Sequence, residues 1–212
     1  MMIDDLIESI KPYNLKIDTI IDIGTRDMEQ SIEFHSVYPE AKIYAIEANK
    51  ESYEECLNRK PDYINLLHFA ALDYDGETDF YEIAQTDNKG GSSIFEPTQH
   101  MVGCDSLNGL KHVKVPCKRI DTVIKERIDL AWADVQGCEI PTLKGFGDLL
   151  KDVKVIATEA ETGLLYYPSR KYEPTKYEEL KNYLIENGFK EIYYHQPWPR
   201  ECDVVYINER FI

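Results

Sequence analysis

The chain has 212 residues, 43% of them hydrophobic and 30% charged, which is ordinary for a globular protein with one well-buried core. A formal net charge of −15 at pH 7 removes the usual electrostatic driving force for nucleic-acid binding, so we expect no nucleic-acid partner. The five cysteines are an odd set without a C-x-x-C pair, no apolar segment has membrane-spanning length and the start lacks a secretory signal, which together predict a cytoplasmic protein with reduced thiols and no membrane partner.

Strands and helices alternate in the first third of the chain. Ile20, Ile21 and Ile23 make an apolar run that closes with Gly24, as in a strand that is buried on both faces and stops at a tight turn. The predicted elements are an N-terminal helical cap at residues 1–12 with its helix at 2–10, a strand at 19–23, a helix at 29–38, a strand at 42–47, a helix at 52–59 and a strand at 64–71. This alternation predicts an α/β, doubly wound, Rossmann-like fold in which ligands bind at the carboxyl ends of the strands.

The pattern changes at residue 73. A turn at 73–76 precedes alternating polar and apolar residues over 77–83, which indicate a half-exposed strand, and the irregular stretch 86–109 has the length of a lid or substrate loop. The remaining predicted elements are a strand at 113–117, a helix at 120–125, a strand at 128–134, a helix that Pro141 begins and Gly145 ends, a strand at 153–158, a helix at 175–187 and two last strands at 191–194 and 203–207. The chain has no internal repeat and no linker, so we expect one domain over residues 1–212.

The turn after the first strand discriminates between cofactors. A dinucleotide site needs the spacing G-x-G-x-x-G, but Gly24 is followed by no second or third glycine, and two acids stand where phosphates would lie. An acidic edge instead suits S-adenosylmethionine, which has no phosphate and carries a sulfonium cation. Glu47 ends the next strand, 25 residues after Asp22, and can accept both ribose hydroxyls, while Arg26 is available for the methionine carboxylate. The competing interpretation is that Asp22 only caps the helix and Glu47 is a surface acid.

Residues 134–145, Asp-Val-Gln-Gly-Cys-Glu-Ile-Pro-Thr-Leu-Lys-Gly, resemble the FkbM-type S-adenosylmethionine-dependent O-methyltransferases. The resemblance also includes Asp22-Ile23-Gly24, Ile46-Glu47-Ala48-Asn49, Ala70-Ala71-Leu72, Gly76-Glu77 with Phe80-Tyr81, Gly91-Ser92-Ser93, Arg119-Ile120-Asp121 and Asn187-Gly188-Phe189. It implies a class I methyltransferase fold with a mostly parallel seven-stranded sheet, its last strand antiparallel, and a small β-hairpin insertion. It further implies methylation of a hydroxyl on a small-molecule or glycan acceptor. The chain departs from the family's usual first turn, because Arg26 replaces an asparagine and Met28 replaces the second glycine.

Specific roles follow from these patterns and from the resemblance. Asp134 is expected to hold the methionine ammonium or to face the acceptor, and Glu159 is expected to be the catalytic base, since in-line methyl transfer requires an aligned acceptor oxygen that loses its proton. Ala71 and Leu72 should flank the adenine through apolar contacts and backbone hydrogen bonds. The full set of predicted cofactor-binding residues is Asp22, Gly24, Thr25, Arg26, Asp27, Glu47, Ala48, Ala71, Leu72, Ser92, Ser93, Asp134 and Gln136.

Several alternatives remain open at this level. The carboxylates of Asp134, Glu159 and Glu161 are candidate ligands of a magnesium ion, although their spacing in the sequence does not require a metal. His100 and His195 are second-rank base candidates. Tyr166, Tyr167, Trp198 and the loop 168–174 are candidates for an aromatic platform under a sugar. A nicotinamide-dependent dehydrogenase and a non-catalytic binding subunit with a methyltransferase fold are the competing functions. The sequence does not determine the acceptor or the oligomeric state, and a homodimer is compatible with it.

Overall fold

A computed structural model of the chain describes residues 1–83, 89–102 and 109–212. Its helices are α1 (Ile3–Ile10), α2 (Glu29–Val37), α3 (Lys50–Arg59), α4 (Gln99–Val102), α5 (Ile120–Val123), α6 (Glu139–Lys144) and α7 (Tyr177–Glu186). Its strands are β1 (Thr19–Ile23), β2 (Lys42–Glu47), β3 (Ile64–His68), β4 (Ala70–Ala71), β5 (Gly76–Ile83), β6 (Leu110–Lys118), β7 (Leu130–Ala133), β8 (Val155–Glu161), β9 (Phe189–Trp198) and β10 (Glu201–Asn208). None of these helices is long and apolar enough to cross a lipid bilayer.

Seven strands form one sheet in the order β3-β2-β1-β7-β8-β10-β9. All neighbours from β3 to β8 pair in parallel, whereas β10 runs antiparallel to both β8 and β9. This confirms the predicted Rossmann-like fold with its last strand antiparallel. The strand order reverses between β1 and β7, and a doubly wound sheet binds its ligands at the carboxyl edge beside such a switch point.

Apolar side chains cover both faces of this sheet. On β1, Ile21 and Ile23 pack into a cluster with residues of α5, α6 and α7, whereas Ile20 packs on the opposite face with residues of α1, α2 and α3. Every residue of β1 is buried. The near-continuous apolar run of this strand follows from its central position, because a parallel strand covered by helices on both faces has no solvent-facing side.

A second, smaller sheet has the order β4-β6-β5 and contains the predicted hairpin insertion. The single strand predicted at residues 64–71 is wrong, because the chain changes sheets at Phe69. β3 pairs with β2 in the large sheet, while Ala70 and Ala71 pair in parallel with Cys117 and Lys118 of β6. Both segments are apolar, so hydrophobic content alone cannot locate this break.

Other predicted bounds shift by a few residues. β8 extends to Glu161, so Glu159 and Glu161 lie inside a strand and not beyond its end. The last two strands are longer than predicted, and the strand predicted at 128–134 is β7, which ends at Ala133. Within the stretch predicted as a loop at 86–109, the structure has a 3₁₀ turn at Lys89–Gly91 and helix α4. The other parts of that prediction, at residues 86–88 and 103–108 and including Cys104, lie outside the described residues.

Candidate functional site

The turn after β1 depends on Gly24. Its φ of +83° is in the left-handed region, and a Cβ at this position would overlap the backbone carbonyl of Asp134. The Gly24 amide donates a hydrogen bond to the Ile46 carbonyl oxygen at 2.9 Å, and the Asp134 amide donates to that of Ile23 at 2.9 Å. A residue without a side chain therefore allows the ends of β1, β2 and β7 to meet in one place.

Asp22 supports this turn from inside the protein. It is 1% exposed, and its Oδ2 atom accepts hydrogen bonds from the hydroxyls of Thr25 and Ser31, both at 2.6 Å. Burial raises the pKa of Asp22 to about 6, against the opposing effect of these hydroxyls. Asp22 thus organises the loop through side-chain hydroxyls instead of capping the backbone of α2.

Glu47 ends β2 and lies 7% exposed in the wall of a cavity. Its Oε2 atom accepts a hydrogen bond from the Arg26 amide at 2.8 Å, and its Oε1 atom accepts one from the Asn49 amide at 2.6 Å. Burial raises the pKa of Glu47 to about 7, although these amides favour the charged form. A carboxylate has about four lone-pair positions, so each oxygen can still accept one further donor.

The cavity beside Glu47, which we call the large cavity to distinguish it from a smaller one next to it, encloses about 860 Å³ of empty space, including the part open to solvent. Nine of the predicted cofactor-binding residues line it: Gly24, Arg26, Glu47, Ala48, Ala71, Leu72, Ser92, Ser93 and Asp134. Four others do not line it: Asp22, Thr25, Asp27 and Gln136. Sequence reasoning missed further lining residues, among them Gln30, Ser52, Phe69, Phe80, Trp132 and Cys138. Trp132 could have been found, because it lies two residues before Asp134 in a predicted strand and residues i and i+2 of a strand point to the same face.

Some of the predicted polar contacts of this cavity are already used within the protein. The Leu72 amide donates to the Lys118 carbonyl, and the Ala71 carbonyl accepts from the Thr142 hydroxyl at 2.8 Å. The Ser93 hydroxyl donates to the Gln136 carbonyl at 2.7 Å, and the Ser92 hydroxyl accepts from the Ile83 amide at 3.0 Å. Ala71 and Leu72 therefore offer the cavity mainly apolar surface.

The two departures from the family's first turn share one backbone property. Arg26 has a φ of +49° and Met28 a φ of +66°, both left-handed, a conformation that asparagine and glycine adopt more easily than arginine or methionine. Met28 offsets this strain with a fully buried side chain. The Arg26 guanidinium borders the cavity and pairs with Asp27, whose Oδ2 atom accepts from Arg26 Nε at 2.9 Å.

Asp134 follows β7 and is linked to a buried tyrosine. Gln136 donates a hydrogen bond from Nε2 to Asp134 Oδ1, and the Tyr166 hydroxyl lies 2.6 Å from Gln136 Oε1. Removal from bulk water raises the pKa of Asp134. Tyr166 is 1% exposed, so it is part of this buried chain of hydrogen bonds and not of the exposed aromatic platform that the sequence suggested.

Glu159 lines a second, smaller space, which we call the acidic cavity. This space measures about 210 Å³ including its mouth, and its walls are Gln136, Gly137, Glu139, Glu159, Ala160, Glu161, Leu165, Tyr166 and Glu201. The negative charge of Asp134, followed by burial, raises the pKa of Glu159. The turn 134–138 separates the two cavities, because Asp134 and Cys138 line the large one and Gln136 and Gly137 line the acidic one.

The remaining candidates are not brought to these cavities. His100 is exposed on α4, and His195 is exposed on β9, where its Nδ1 atom lies 3.7 Å from Asp203 Oδ2. Tyr167 and Trp198 are exposed and line neither space. Across residues 1–83, 89–102 and 109–212, no group of three or more histidine, cysteine, aspartate or glutamate side chains has the arrangement of a metal site, including Asp134, Glu159 and Glu161.

Comparison with known proteins agrees with this architecture. The chain is 28% identical over 159 residues to the 2-O-methyltransferase NoeI of Sinorhizobium fredii, an alignment that covers 69% of this chain and 65% of that protein. The methyltransferase FkbM of Methylobacillus flagellatus KT superposes with a TM-score of 0.59 at 14% identity, covering 94% of this chain and 47% of the other. A chain of the fibrillarin/Nop5p complex superposes with a TM-score of 0.52 at 14% identity, covering 96% of this chain and 80% of the other.

The chain therefore spans less than two thirds of the length of the curated relative and about half of the M. flagellatus protein. At such low identity, the two superposed structures show a shared fold. The family assignment comes from a sequence model described as the methyltransferase FkbM domain, which matches residues 22–191 and so includes the end of β1, the hairpin insertion and the segment 134–145. On this match over most of its length, the chain belongs to the FkbM methyltransferase family.

Proposed function

We propose that the chain transfers a methyl group from S-adenosylmethionine to a hydroxyl of a small-molecule or glycan acceptor. Family membership supports methyl transfer, and the similarity to the 2-O-methyltransferase NoeI of S. fredii supports an oxygen acceptor. The single observation that carries the choice of cofactor is Glu47. Its buried carboxylate borders the large cavity beside a turn with one glycine, which suits a ribose diol and not a pyrophosphate.

The donor set of the large cavity fits this cofactor along its whole length. Glu47 keeps free lone pairs for the two ribose hydroxyls. Ala71 and Leu72, together with Phe69, offer apolar surface to the adenine. Gly24 borders the cavity beside Asp134, where Asp134 is available to the ammonium of the methionine part and Arg26 to its carboxylate.

The residues outside the large cavity have supporting roles in this proposal. Asp22 and Thr25 hold the turn in shape, since their hydrogen bond lies entirely within it. Asp27 orients the Arg26 guanidinium. Gln136 fixes the Asp134 carboxylate through a hydrogen bond. These four residues act on the cofactor through their neighbours.

S-adenosylmethionine supplies an electrophilic methyl group on a sulfonium cation. The work of the chain is to align the acceptor oxygen with that methyl and to remove the hydroxyl proton. Glu159 is the proposed base. The charge of Asp134 keeps the pKa of Glu159 high, which makes its carboxylate a strong proton acceptor once it is ionised. A positive charge beside Asp134 lowers the pKa of both carboxyls and favours that ionised form.

Calorimetric titration tests the cofactor. We expect S-adenosylhomocysteine and S-adenosylmethionine to bind with one site per chain, and NAD⁺ to show no heat at the same concentrations. Release of S-adenosylhomocysteine in the presence of a panel of sugars and polyols then tests the transfer to oxygen. Failure of both adenosyl compounds to bind would refute the proposal and favour a non-catalytic subunit, while binding of NAD⁺ alone would favour a dehydrogenase.

A further inference from the structure

The acidic cavity concentrates carboxyl groups on one face of the sheet. β8 and β10 are antiparallel, and their register sets Glu159 opposite Asp203 and Glu161 opposite Glu201. Glu139 reaches the same cavity from the start of α6. Like charges directly opposite one another destabilise a pair of strands, and buried carboxylates are normally paired with cations. The fold therefore keeps a costly arrangement at this place.

The positive charges nearby are too few to neutralise this cluster. Lys176 pairs with Glu161 Oε2, and the Met1 amino group lies 2.9 Å from Asp203 Oδ1. Among the described residues, no lysine, arginine or histidine forms an ion pair with Glu139, Glu159 or Glu201. Three carboxyl groups of the cavity wall thus have no cation within ion-pair distance in that part of the chain, although the Met1 amino group, from further away, partly offsets the rise in the pKa of Glu159 and Glu201.

Two carboxylate oxygens in this wall also lack any hydrogen-bond donor. Glu139 is 2% exposed and Glu161 is 3% exposed. One oxygen of each is satisfied, by the Gly137 amide at 3.0 Å and by Lys176 respectively. Glu139 Oε2 and Glu161 Oε1 are buried and have no partner among the described residues. Unsatisfied buried acceptors are rare in native proteins, and their presence in a cavity wall indicates that a donor from outside completes the site.

The size and position of the cavity limit what that donor is. Its empty space of about 210 Å³ includes the open mouth, and the enclosed part has room for about one water-sized group and not for a ring system. Its wall contains Gln136, which holds Asp134 at the edge of the large cavity, and Glu159, the proposed base. A substituent in the acidic cavity would therefore be attached to the molecule whose hydroxyl is methylated.

We propose that the acidic cavity binds a protonated primary amine of the acceptor, so that the substrate is an amino alcohol or amino sugar whose ammonium group lies close to the methylated hydroxyl. An ammonium group brings three donors and one positive charge, which can satisfy the two unpartnered oxygens and offset part of the negative charge of the three unpaired carboxyls. A neutral hydroxyl would bring one donor and no charge. A divalent metal is disfavoured, because the described side chains form no metal-ligand cluster. This inference rests on the function proposed above.

A pair of probes that differ in one group tests the inference. We would titrate the full chain, saturated with S-adenosylhomocysteine, with trans-2-aminocyclohexanol and with trans-cyclohexane-1,2-diol at pH 7.5, and follow binding by NMR. We expect the amine to bind at least about tenfold more tightly than the diol, as a charge-assisted hydrogen bond replaces a neutral one. Glu201→Gln should reduce the affinity for the amine about tenfold and leave that for the diol unchanged.

The net charge of the protein requires a matched control, because any cation is attracted to a chain with a charge of −15. Glu186→Gln removes the same charge from an exposed position on α7 and should leave both affinities unchanged. Equal binding of the two probes, no binding of either, or equal effects of the two variants would overturn the inference. Displacement of the amine by MgCl₂ would overturn it in favour of a metal. A chain that binds no S-adenosylhomocysteine would instead refute the proposed function, and the probes would then be compared on the free protein.

Discussion

Acidic residues occupy two regions at the carboxyl edge of the sheet, and the two regions differ in how completely their oxygens are bonded. At the ends of β1 and β2, Asp22 accepts two hydroxyl hydrogen bonds and Glu47 accepts two backbone amides. In the acidic cavity, where β8 ends and β10 and α6 begin, Glu139 Oε2 and Glu161 Oε1 accept none within the described chain. The first region is complete without a ligand, and the second is not.

This difference follows from where the donors come from. The donors to Asp22 are the hydroxyls of Thr25 and Ser31, in the turn and helix that follow it. The donors to Glu47 are the backbone amides of Arg26, in that same turn, and of Asn49, so two neighbouring segments supply both acids and their partners. Glu159 and Glu161 on β8 lie opposite Asp203 and Glu201 on β10, about forty residues away, so each of these carboxyls faces another acid and not a side-chain donor. We infer that the first region is preformed for its ligand, whereas the second depends on its ligand for neutralisation.

Glu159→Gln should have the largest effect of the changes considered. Glutamine keeps the shape of the side chain but cannot accept a proton, so turnover should fall by about 10²–10⁴-fold. Affinity for S-adenosylhomocysteine, measured by calorimetry, should stay within about twofold, since Glu159 does not line the large cavity. Equal losses of turnover and cofactor affinity would show that the two regions are one site. Glu186→Gln is the matched control for the lost charge.

Gly24→Ala should disrupt the preformed region itself. The new methyl would overlap the Asp134 carbonyl and hold a left-handed φ, and we expect the free energy of unfolding to fall by about 3 kcal/mol or more in urea titrations. Gly188→Ala is a matched control, because Gly188 has nearly the same φ, +84°, but no atom within 4 Å of the new Cβ. It should cost only about 1 kcal/mol. Similar losses in both variants would mean that the close approach of β1 and β7 is unimportant.

Cofactor binding should depend on the ionisation of Glu47. Its pKa is raised to about 7, and in the function proposed above its charged form accepts the two ribose hydroxyls. Affinity for S-adenosylhomocysteine should therefore be nearly full at pH 8 and should fall by about tenfold between pH 8 and pH 6 as the carboxylate gains a proton. Glu47→Gln should bind about tenfold more weakly at pH 8 and lose most of this dependence. A wild-type profile that stays flat from pH 6 to pH 8 contradicts the role given to Glu47.

The preformed region was largely predictable from sequence, because its signals are local. The apolar run of β1, the acid inside it and the glycine that closes it are adjacent, and β2 was predicted with the bounds Lys42–Glu47 that the structure has. The role of Asp22 was less accessible. Whether a buried acid faces the cavity or bonds to Thr25 and Ser31 depends on side-chain directions that the sequence pattern does not specify.

The second region was not predictable, because it is made by long-range register. Glu159 and Glu161 were predicted just beyond the end of a strand that in fact includes them, and nothing local says that Glu201 and Asp203 lie opposite them. The burial of Tyr166 and its bond to Gln136 depend on the same tertiary packing. The break between β3 and β4 at Phe69 could not be predicted either, because an apolar run has the same pattern whether it belongs to one sheet or to two.

Substitutions of Arg26 should have the smallest effects, and they can separate the role of its positive charge from that of its left-handed backbone conformation. Arg26→Asn removes the charge but places asparagine at a left-handed φ of +49°, which it adopts more readily. We expect the free energy of unfolding to rise by about 0.5 kcal/mol, after the loss of the exposed pair with Asp27. Affinity for S-adenosylhomocysteine should fall about tenfold, because the ligand carboxylate loses its charge-assisted partner.

Arg26→Lys should give the opposite combination. It keeps a positive charge at the mouth of the large cavity, so cofactor affinity should fall only about two- to threefold, with the bidentate geometry lost. It gains nothing in stability, since lysine has no preference for the left-handed region. Calorimetry and urea unfolding on both variants separate the two effects. If asparagine and lysine weaken binding equally, Arg26 holds the turn and not the ligand, and the preformed region would then bind the cofactor through Gly24, Glu47 and Asp134 alone.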